Sequence, residues 1–151
     1  MDERVKKVLA KLEAQCAKRE YCTRDVREKA LKALEGDEQA AAQVVESLRS
    51  DAFVDDARYA AAFAREKSSL TGWGPIKIRF ALKAKGISDA DISSGIGEID
   101  RGRADERLAK LLAVKAKSLE GDPQARFKLI KFALTRGYEY AAVEAAIKEM
   151  Q

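Results

Sequence analysis

Residues 53–87 read FVDDARYAAAFAREKSSLTGWGPIKIRFALKAKGI, a layout that indicates two helices joined by a tight turn. Asp55 is an N-cap type of residue ahead of the first helical run. The turn contains Gly-Trp-Gly at 72–74, and Pro75 opens the second run, where its missing N–H costs nothing. Gly86 follows that run in the position of a C′ residue. The stretch therefore predicts two successive helices with defined ends.

Similar start and stop signals recur along the whole chain and predict an all-α protein. Strand-type alternation of β-branched residues is nearly absent, and Ala, Leu, Lys, Glu and Arg are abundant. The chain has 151 residues, of which 46% are apolar and 36% charged, a mixture that favours ordered helices over disorder. We expect nine helices, at about residues 3–18, 23–35, 38–50, 55–70, 75–85, 88–98, 102–118, 123–136 and 139–149.

Short motifs that recur about 50 residues apart divide these helices into three groups. Lys-Gly-Ile at 85–87 corresponds to Arg-Gly-Tyr at 136–138, a shift of 51 residues. Arg-Tyr-Ala at 58–60 corresponds to Arg-Leu-Ala at 107–109, a shift of 49 residues. A constant period of this length indicates tandem three-helix repeats stacked in a row. The predicted repeats are residues 1–52, 53–100 and 101–151.

Positive charge is concentrated in the middle of the chain. Residues 57–87 contain seven basic side chains and one acidic side chain, a net charge of +6, whereas the whole chain carries +4. A surface of this kind attracts a polyanion or an acidic protein groove. The candidate binding residues are Arg65, Lys67, Lys77, Arg79, Lys83 and Lys85. A second basic edge is expected at Lys128, Lys131 and Arg136. The alternative is an ordinary solvated face whose cations are balanced by nearby carboxylates such as Asp89.

Catalysis is not expected, because the residues that usually carry it are missing. The chain has no histidine, the commonest general base and metal ligand, and no phosphate-binding glycine loop. Asp55 and Asp56 could be paired metal ligands, but their place at a helix start favours capping. Cys16 and Cys22 are interpreted as small buried thiols. We therefore expect no catalytic residue, no cofactor and no metal.

The same composition bears on location. No run approaches the roughly 18 apolar residues that a membrane-spanning helix needs, and residues 1–15 lack the apolar stretch of a signal peptide. We expect a cytoplasmic protein without a membrane partner.

Trp73, the only tryptophan, has two interpretations. It could anchor a partner or form a stacking platform, or it could fill a corner between helices. We favour packing, against Ile76 and Phe80. Core positions are also expected for a set of large apolar residues: Tyr59, Phe63, Phe127, Leu129, Phe132 and Leu134.

The central stretch resembles the RecX family of regulators of the RecA recombinase. In that family, an Asp-rich helix start precedes Arg-Tyr/Phe-Ala, and a Gly-x-x-x-Ile-x-x-x-Leu-x-x-Lys-Gly-Ile run follows. The segment at 16–31 is similar to the family's first module, with Cys where other members have Arg or Ser. The matching central positions are Asp55, Asp56, Arg58, Tyr59, Ala60, Gly74, Ile78, Leu82, Lys85, Gly86 and Ile87.

The resemblance implies three tandem three-helix repeats in an elongated, curved monomer that acts without a cofactor. It implies binding within the groove of a RecA filament on single-stranded DNA, with the DNA as a further contact. The expected effect is inhibition of RecA ATP hydrolysis, strand exchange and coprotease activity, and hence modulation of recombinational repair and the SOS response. Two alternatives remain: a helical protein that binds nucleic acid directly without RecA, and a helical-repeat adaptor for an acidic protein.

Overall fold

A computed structural model describes residues 1–150 of the chain, and within them the regular structure consists of nine α-helices. Each predicted helix is present, and its ends agree with the prediction to within two residues. The all-α expectation is therefore confirmed. The helices are α1 Glu3–Lys18, α2 Thr23–Ala33, α3 Glu38–Ser50, α4 Asp56–Leu70, α5 Pro75–Ala84, α6 Asp89–Gly97, α7 Arg101–Ser118, α8 Ala125–Thr135 and α9 Tyr140–Glu149.

Each successive trio of helices encloses its own hydrophobic cluster, because the apolar residues of each helix recur on one face. Ala30, Val44 and Leu48 are examples from the first cluster, in α1–α3. The second cluster lies in α4–α6 and the third in α7–α9. Phe53 and Val54 pack on the first cluster, just beyond the predicted division at residue 52. The residue limits of the three repeats stay a prediction.

The three-cluster arrangement gives the molecule a large surface for its mass. Its accessible surface is 9569 Å² at 16.7 kDa. A compact monomer of that mass would expose about 7600 Å². The excess of about a quarter is what an elongated row of small units produces, since each unit buries little surface beyond its own core.

Of the two adjacent carboxylates that were predicted to cap α4, only Asp55 does so. The Asp55 carboxylate accepts a hydrogen bond from the Arg58 N–H at 3.1 Å and caps α4. Asp56 has a different role, because its Oδ1 accepts from the backbone N–H and the hydroxyl of Thr23, at 2.7 and 3.0 Å. One carboxylate of the pair therefore starts a helix, and the other links the second unit to the first.

Side chains make most of the joint between the first and second units. Cys22 is fully buried and packs on the second cluster, although it belongs to the start of α2. The Lys85 ammonium donates to the Asp25 carboxylate at 2.9 Å. The Arg24 guanidinium donates to the Ala84 carbonyl. Arg24 also lies against Gly86, the residue that ends the middle helix of the second unit.

The joint between the second and third units contains direct hydrogen bonds between backbone groups, in addition to side-chain contacts. The Gly74 N–H donates to the Arg136 carbonyl at 2.7 Å, and the Ile76 N–H donates to the Gly137 carbonyl at 2.9 Å. A Cβ on Gly74 would stand 2.5 Å from the backbone of Gly137, so only glycine allows this approach. In both joints, the glycine after a middle helix lies at the start of the middle helix of the preceding unit. The tandem repeat is therefore visible in the joints as well as in the cores.

Several large apolar residues lie outside the cores, which corrects part of the sequence prediction. Tyr59 and Leu129 are buried as expected. The core assignment is wrong for Phe127 and Leu134, which are 65% and 42% exposed. Phe63 and Phe132 are half-buried. The reason is that a helix in a three-helix core buries one face. Leu129 lies on the buried face of α8, and the other apolar face of the helix is exposed to water.

Candidate functional site

Helix α5 presents a mixed apolar and basic face to solvent. Its core stripe is Ile78 and Leu82, both fully buried in the second cluster. The helical period of 3.6 residues turns the side chains between them outward. Phe80 is 78% exposed and Ile76 is 51% exposed. Two cations flank them on the same helix. We call this surface the α5 face and define it by Ile76, Arg79, Phe80 and Lys83.

The cations of the α5 face are only weakly engaged within the protein. Arg79 donates to the hydroxyl of Ser93 at 3.3 Å. Lys83 lies 3.6 Å from the Asp89 carboxylate, and both side chains are about 70% exposed. Exposed ion pairs of this kind contribute about 0–1 kcal/mol. Asp89 is thus the nearby carboxylate expected if these cations formed only an ordinary solvated face. Lys83 nevertheless stays exposed enough to contact a partner.

Trp73 lies between two cations, one from α4 and one from α5. The Lys67 and Lys77 ammonium groups stand 4.9 and 4.6 Å from its ring centroid. Phe63 meets its edge at a centroid distance of 6.3 Å. The indole is half-buried and packs on the second cluster, as the packing interpretation expects. The specific contacts with Ile76 and Phe80 stay a prediction, and those side chains are 51% and 78% exposed. The Trp73 N–H donates to the Lys67 carbonyl at 3.0 Å, which holds the indole on the last turn of α4.

The two remaining cations of the central prediction are paired. Arg65 lies 3.5 Å from the Glu98 carboxylate on the surface of the second unit. Lys85 belongs to the first joint, where it pairs with Asp25. Burial opposes ionisation of Asp25, but the hydrogen bonds from Lys85 and Cys22 outweigh it and lower the pKa of that carboxyl. The hydrogen bond to Asp25 raises the pKa of Lys85. Lys85 therefore supports the joint.

A second basic surface lies where α4 ends against the third unit. Two adjoining open cavities of about 600 and 430 Å³ share Lys115, Phe132 and Arg136 in their walls. Hydroxyl groups from the end of α4 and the exposed side chains of Leu70 and Val114 line the first cavity. We call the pair of cavities the joint groove. Its six cations are Arg107, Lys110, Lys115, Lys128, Lys131 and Arg136.

The structure brings the predicted second basic edge into this groove and adds three cations that the sequence reasoning missed. Lys128, Lys131 and Arg136 come from α8 and its end, whereas the added residues all come from α7. In the sequence, the α7 cations stand among Asp105 and Glu106, which hides the local excess of charge. The available signal was their helical spacing, which places positions 107, 110, 111, 114, 115 and 118 on one side of α7.

Three of the groove cations, Arg107, Lys115 and Arg136, are held by neutral partners, whereas Lys128 is paired with the Asp122 carboxylate at 2.6 Å. Arg107 donates to the Ser68 hydroxyl at 2.6 Å, and Arg136 donates to the Thr71 carbonyl at 3.3 Å. The Arg136 guanidinium and the Lys115 ammonium lie 4.9 and 5.4 Å from the Phe132 ring centroid. The neutral contacts orient Arg107, Lys115 and Arg136, and none of these three forms an ion pair with residues 1–150.

Two further observations concern residues 1–150 as a whole. No helix among them is both long and apolar enough to cross a membrane. The same residues contain no group of three or more Cys, Asp or Glu side chains arranged around a metal position.

The fold and these surfaces define a tandem three-helix-repeat protein with two exposed basic faces. Residues 55–95 match the family model described as "RecX, second three-helix domain". Among curated proteins, the chain is 31% identical over 117 residues to the "Regulatory protein RecX" of Clostridium botulinum (strain Alaska E43 / Type E3), covering 75% of this chain and 54% of that protein. It is 27% identical over 111 residues to that of Bacillus mycoides (strain KBAB4), covering 72% of this chain and 41% of that protein.

Solved structures show the same fold. One, described as "Crystal structure of regulatory protein RecX", has a TM-score of 0.86 at 22% identity and covers 97% of this chain and 72% of that chain. The crystal structure of RecX from Lactobacillus salivarius has a TM-score of 0.85 at 19% identity, with 99% and 97% covered. This chain belongs to the RecX family. It spans about half the length of the curated relatives that it matches.

Proposed function

We propose that this protein regulates the RecA recombinase by binding RecA filaments on single-stranded DNA. In this proposal it inhibits RecA ATP hydrolysis, strand exchange and coprotease activity, and so modulates recombinational repair and the SOS response. It acts by occupancy as a cytoplasmic monomer, without catalysis and without a cofactor. Family membership supports a RecA-related regulatory role, and the α5 face is the observation that carries the contact.

The α5 face has the composition of a protein-binding surface. Exposed aromatic side chains are the usual anchors of interfaces, and a few such residues supply most of the binding energy. Phe80 is the most exposed aromatic side chain of residues 1–150, and Ile76, one helical turn before it, is also exposed. Arg79 and Lys83 flank this apolar centre. Flanking charges mainly raise the association rate and fix the orientation of a partner that carries complementary carboxylates.

The shape of the molecule suits a filament. A row of three small units exposes more surface than a compact protein of the same mass, which favours contact along an extended partner over enclosure of a small substrate. An elongated ligand in a filament groove can touch successive subunits, so it would hinder the rearrangements that accompany ATP hydrolysis.

Co-sedimentation tests the proposal against its rival, direct nucleic-acid binding without RecA. Wild-type protein should sediment with RecA filaments at protein concentrations at which it does not sediment with the same single-stranded DNA alone. Equal binding to filaments and to bare DNA, with the same salt dependence, would favour the rival. A matched pair of variants then locates the contact. Phe80→Ala should reduce filament binding, whereas Phe127→Ala removes an exposed aromatic of the third unit and should not.

A further inference from the structure

The two interior joints of the row use equivalent positions of neighbouring units. In each joint, the glycine after a middle helix, Gly86 or Gly137, lies on the start of the middle helix of the preceding unit. The middle helices α2, α5 and α8 align on the first buried residue of each, which is Val26, Ile78 or Leu129. A row built in this way leaves half of a joint unused at each end. The unused halves are the glycine side of the first unit and the helix-start side of the third.

The unused half of the first unit is the turn after α2. Gly36 has a φ of +84°, in the left-handed region that the glycines of both interior joints also occupy. Apart from its chain neighbours, no heavy atom of residues 1–150 lies within 4 Å of a Cβ added there. Three exposed carboxylates lie beside this glycine in the chain: Glu35, Asp37 and Glu38. Arg4 pairs with Asp37 at 2.9 Å, but the other two form no ion pair with residues 1–150. This end of the row is therefore open and acidic.

The unused half of the third unit is the start of α8. Residues 124–131 contain three cations and no carboxylate. Arg126 is exposed and forms no ion pair with residues 1–150. Lys128 pairs with Asp122 at 2.6 Å, yet its side chain stays 45% exposed. This end of the row is therefore basic, opposite in charge to the open turn of the first unit.

We propose that these two ends bind each other, so that a second copy of this chain adds its first unit to the third unit of the first copy. The first interior joint indicates how they meet. There Lys85, the residue before the glycine, pairs with Asp25, the residue before the buried Val26. The equivalent residues of the open ends are Glu35 and Lys128. A pair of opposite charges is thus retained between the copies, with the two signs exchanged.

The joint between copies must be of this side-chain type. Gly74 allows the close backbone contact of the second joint, because a Cβ there would stand 2.5 Å from the backbone of Gly137. The equivalent residue of the third unit is Ala125, which carries that Cβ, and the first joint accommodates Cys22 at the same position. Because two different surfaces meet, the contact is head to tail and can add further copies without closing.

The expected contact is weak, since each interior joint consists of only a few hydrogen bonds and ion pairs. Interfaces that bury less than about 1,200 Å² belong to weak or transient complexes. We expect a dissociation constant of about 0.1–1 mM, so that dilute protein stays a monomer. Sedimentation velocity of the protein alone, from about 10 µM to about 1 mM, should show a coefficient that rises with concentration. The rise should diminish at high salt, because exposed charges are screened. RecA is not needed, so failure here would leave the filament proposal untouched.

Two charge-reversed variants each block one end. Glu35→Lys with Glu38→Lys changes the turn of the first unit, and Arg126→Glu with Lys128→Glu changes the start of α8. Each should raise the dissociation constant about 10-fold or more, since attraction is replaced by repulsion. An equimolar mixture should associate again, because each variant retains the end that the other has lost. If the α8 variant melts below wild type, Arg126→Glu alone should still raise the constant about 3-fold.

The control is Lys11→Glu with Lys18→Glu, which makes the same change in net charge as the α8 variant at exposed positions of α1. It should self-associate like wild type. Three results would overturn the inference. One is a wild-type sedimentation coefficient that does not change with concentration. Another is undiminished self-association of either blocked variant. The third is a mixture that stays monomeric, or a control that loses association, which would show that net charge and not the two ends governs the contact.

Discussion

Replacing Gly74 with alanine should weaken the joint between the second and third units. Both Gly74 and Gly137 are buried, and an added Cβ at position 74 would stand 2.5 Å from the Gly137 carbonyl carbon and oxygen and from the Tyr138 nitrogen. Backbone atoms cannot move aside as a flexible side chain can. The two units must therefore separate, and the hydrogen bonds of the Gly74 and Ile76 N–H groups across the joint lengthen or break.

The cost follows from these contacts. Two buried backbone hydrogen bonds contribute about 2 kcal/mol together, and the steric conflict adds about 1–3 kcal/mol. Alanine also lowers the conformational entropy of the unfolded chain, which offsets about 0.4–1 kcal/mol of this loss in stability. The net loss is about 3 kcal/mol, which lowers the melting temperature of a protein of this size by about 6–12 °C. Thermal unfolding followed by circular dichroism measures the shift.

Gly97→Ala is the matched control for this prediction. Gly97 ends α6, is exposed, and has no heavy atom within 4 Å of an added Cβ. This variant should melt at or slightly above the wild-type temperature, because alanine favours helix over glycine. If the Gly74→Ala variant had the same melting temperature as the Gly97→Ala variant, the backbone contact between the units would not stabilise the molecule, and our account of the joint would be wrong.

Three further predictions concern single side chains. Trp73→Ala should cost about 1–3 kcal/mol in urea unfolding, less than a fully buried tryptophan, because it removes edge packing and two cation–π contacts; an unchanged unfolding free energy would contradict this packing. The hydrogen bond from Lys85 lowers the pKa of Asp25 in the folded protein, although burial opposes this. The ionised Asp25 therefore stabilises the fold fully above its unfolded pKa, near 4, and this contribution is lost as pH falls through the lower folded pKa. The difference in unfolding free energy between wild type and Asp25→Asn should therefore be larger at pH 7 than at pH 3, and a constant difference would refute the linkage. Burial raises the pKa of the Cys22 thiol to about 11, so a thiol reagent at pH 8 should label half-buried Cys16 first and Cys22 only on unfolding; simultaneous labelling in the folded protein would contradict this order.

The helices and their grouping could be predicted because their signals are local. Asp55, Pro75 and Gly86 act within one turn of the chain, so their effect is independent of distant packing. The constant shifts between motifs also reflect real equivalence, since Gly86 and Gly137 occupy equivalent places in successive joints.

Features that depend on neighbouring helices could not be read from the sequence. Helix α5 has two apolar faces, and only the packing of α4 and α6 decides that Ile78 is buried while Phe80 is left in solvent. The position of Trp73 depends on a turn that is held partly by Arg136 of the next unit. The α7 cations were missed because they share a groove with Lys131 only after the second and third units have packed together.

The most direct test of the proposed function is the rate of RecA ATP hydrolysis on single-stranded DNA, measured with increasing amounts of this protein. Wild type and Phe127→Ala should inhibit at the same concentrations. Phe80→Ala should need about 30-fold more protein, since loss of a central aromatic anchor costs about 2 kcal/mol. A wild-type protein that leaves the RecA rate unchanged while it binds filaments would contradict inhibition. Equal inhibition by wild type and Phe80→Ala would show that the α5 face is not the RecA contact.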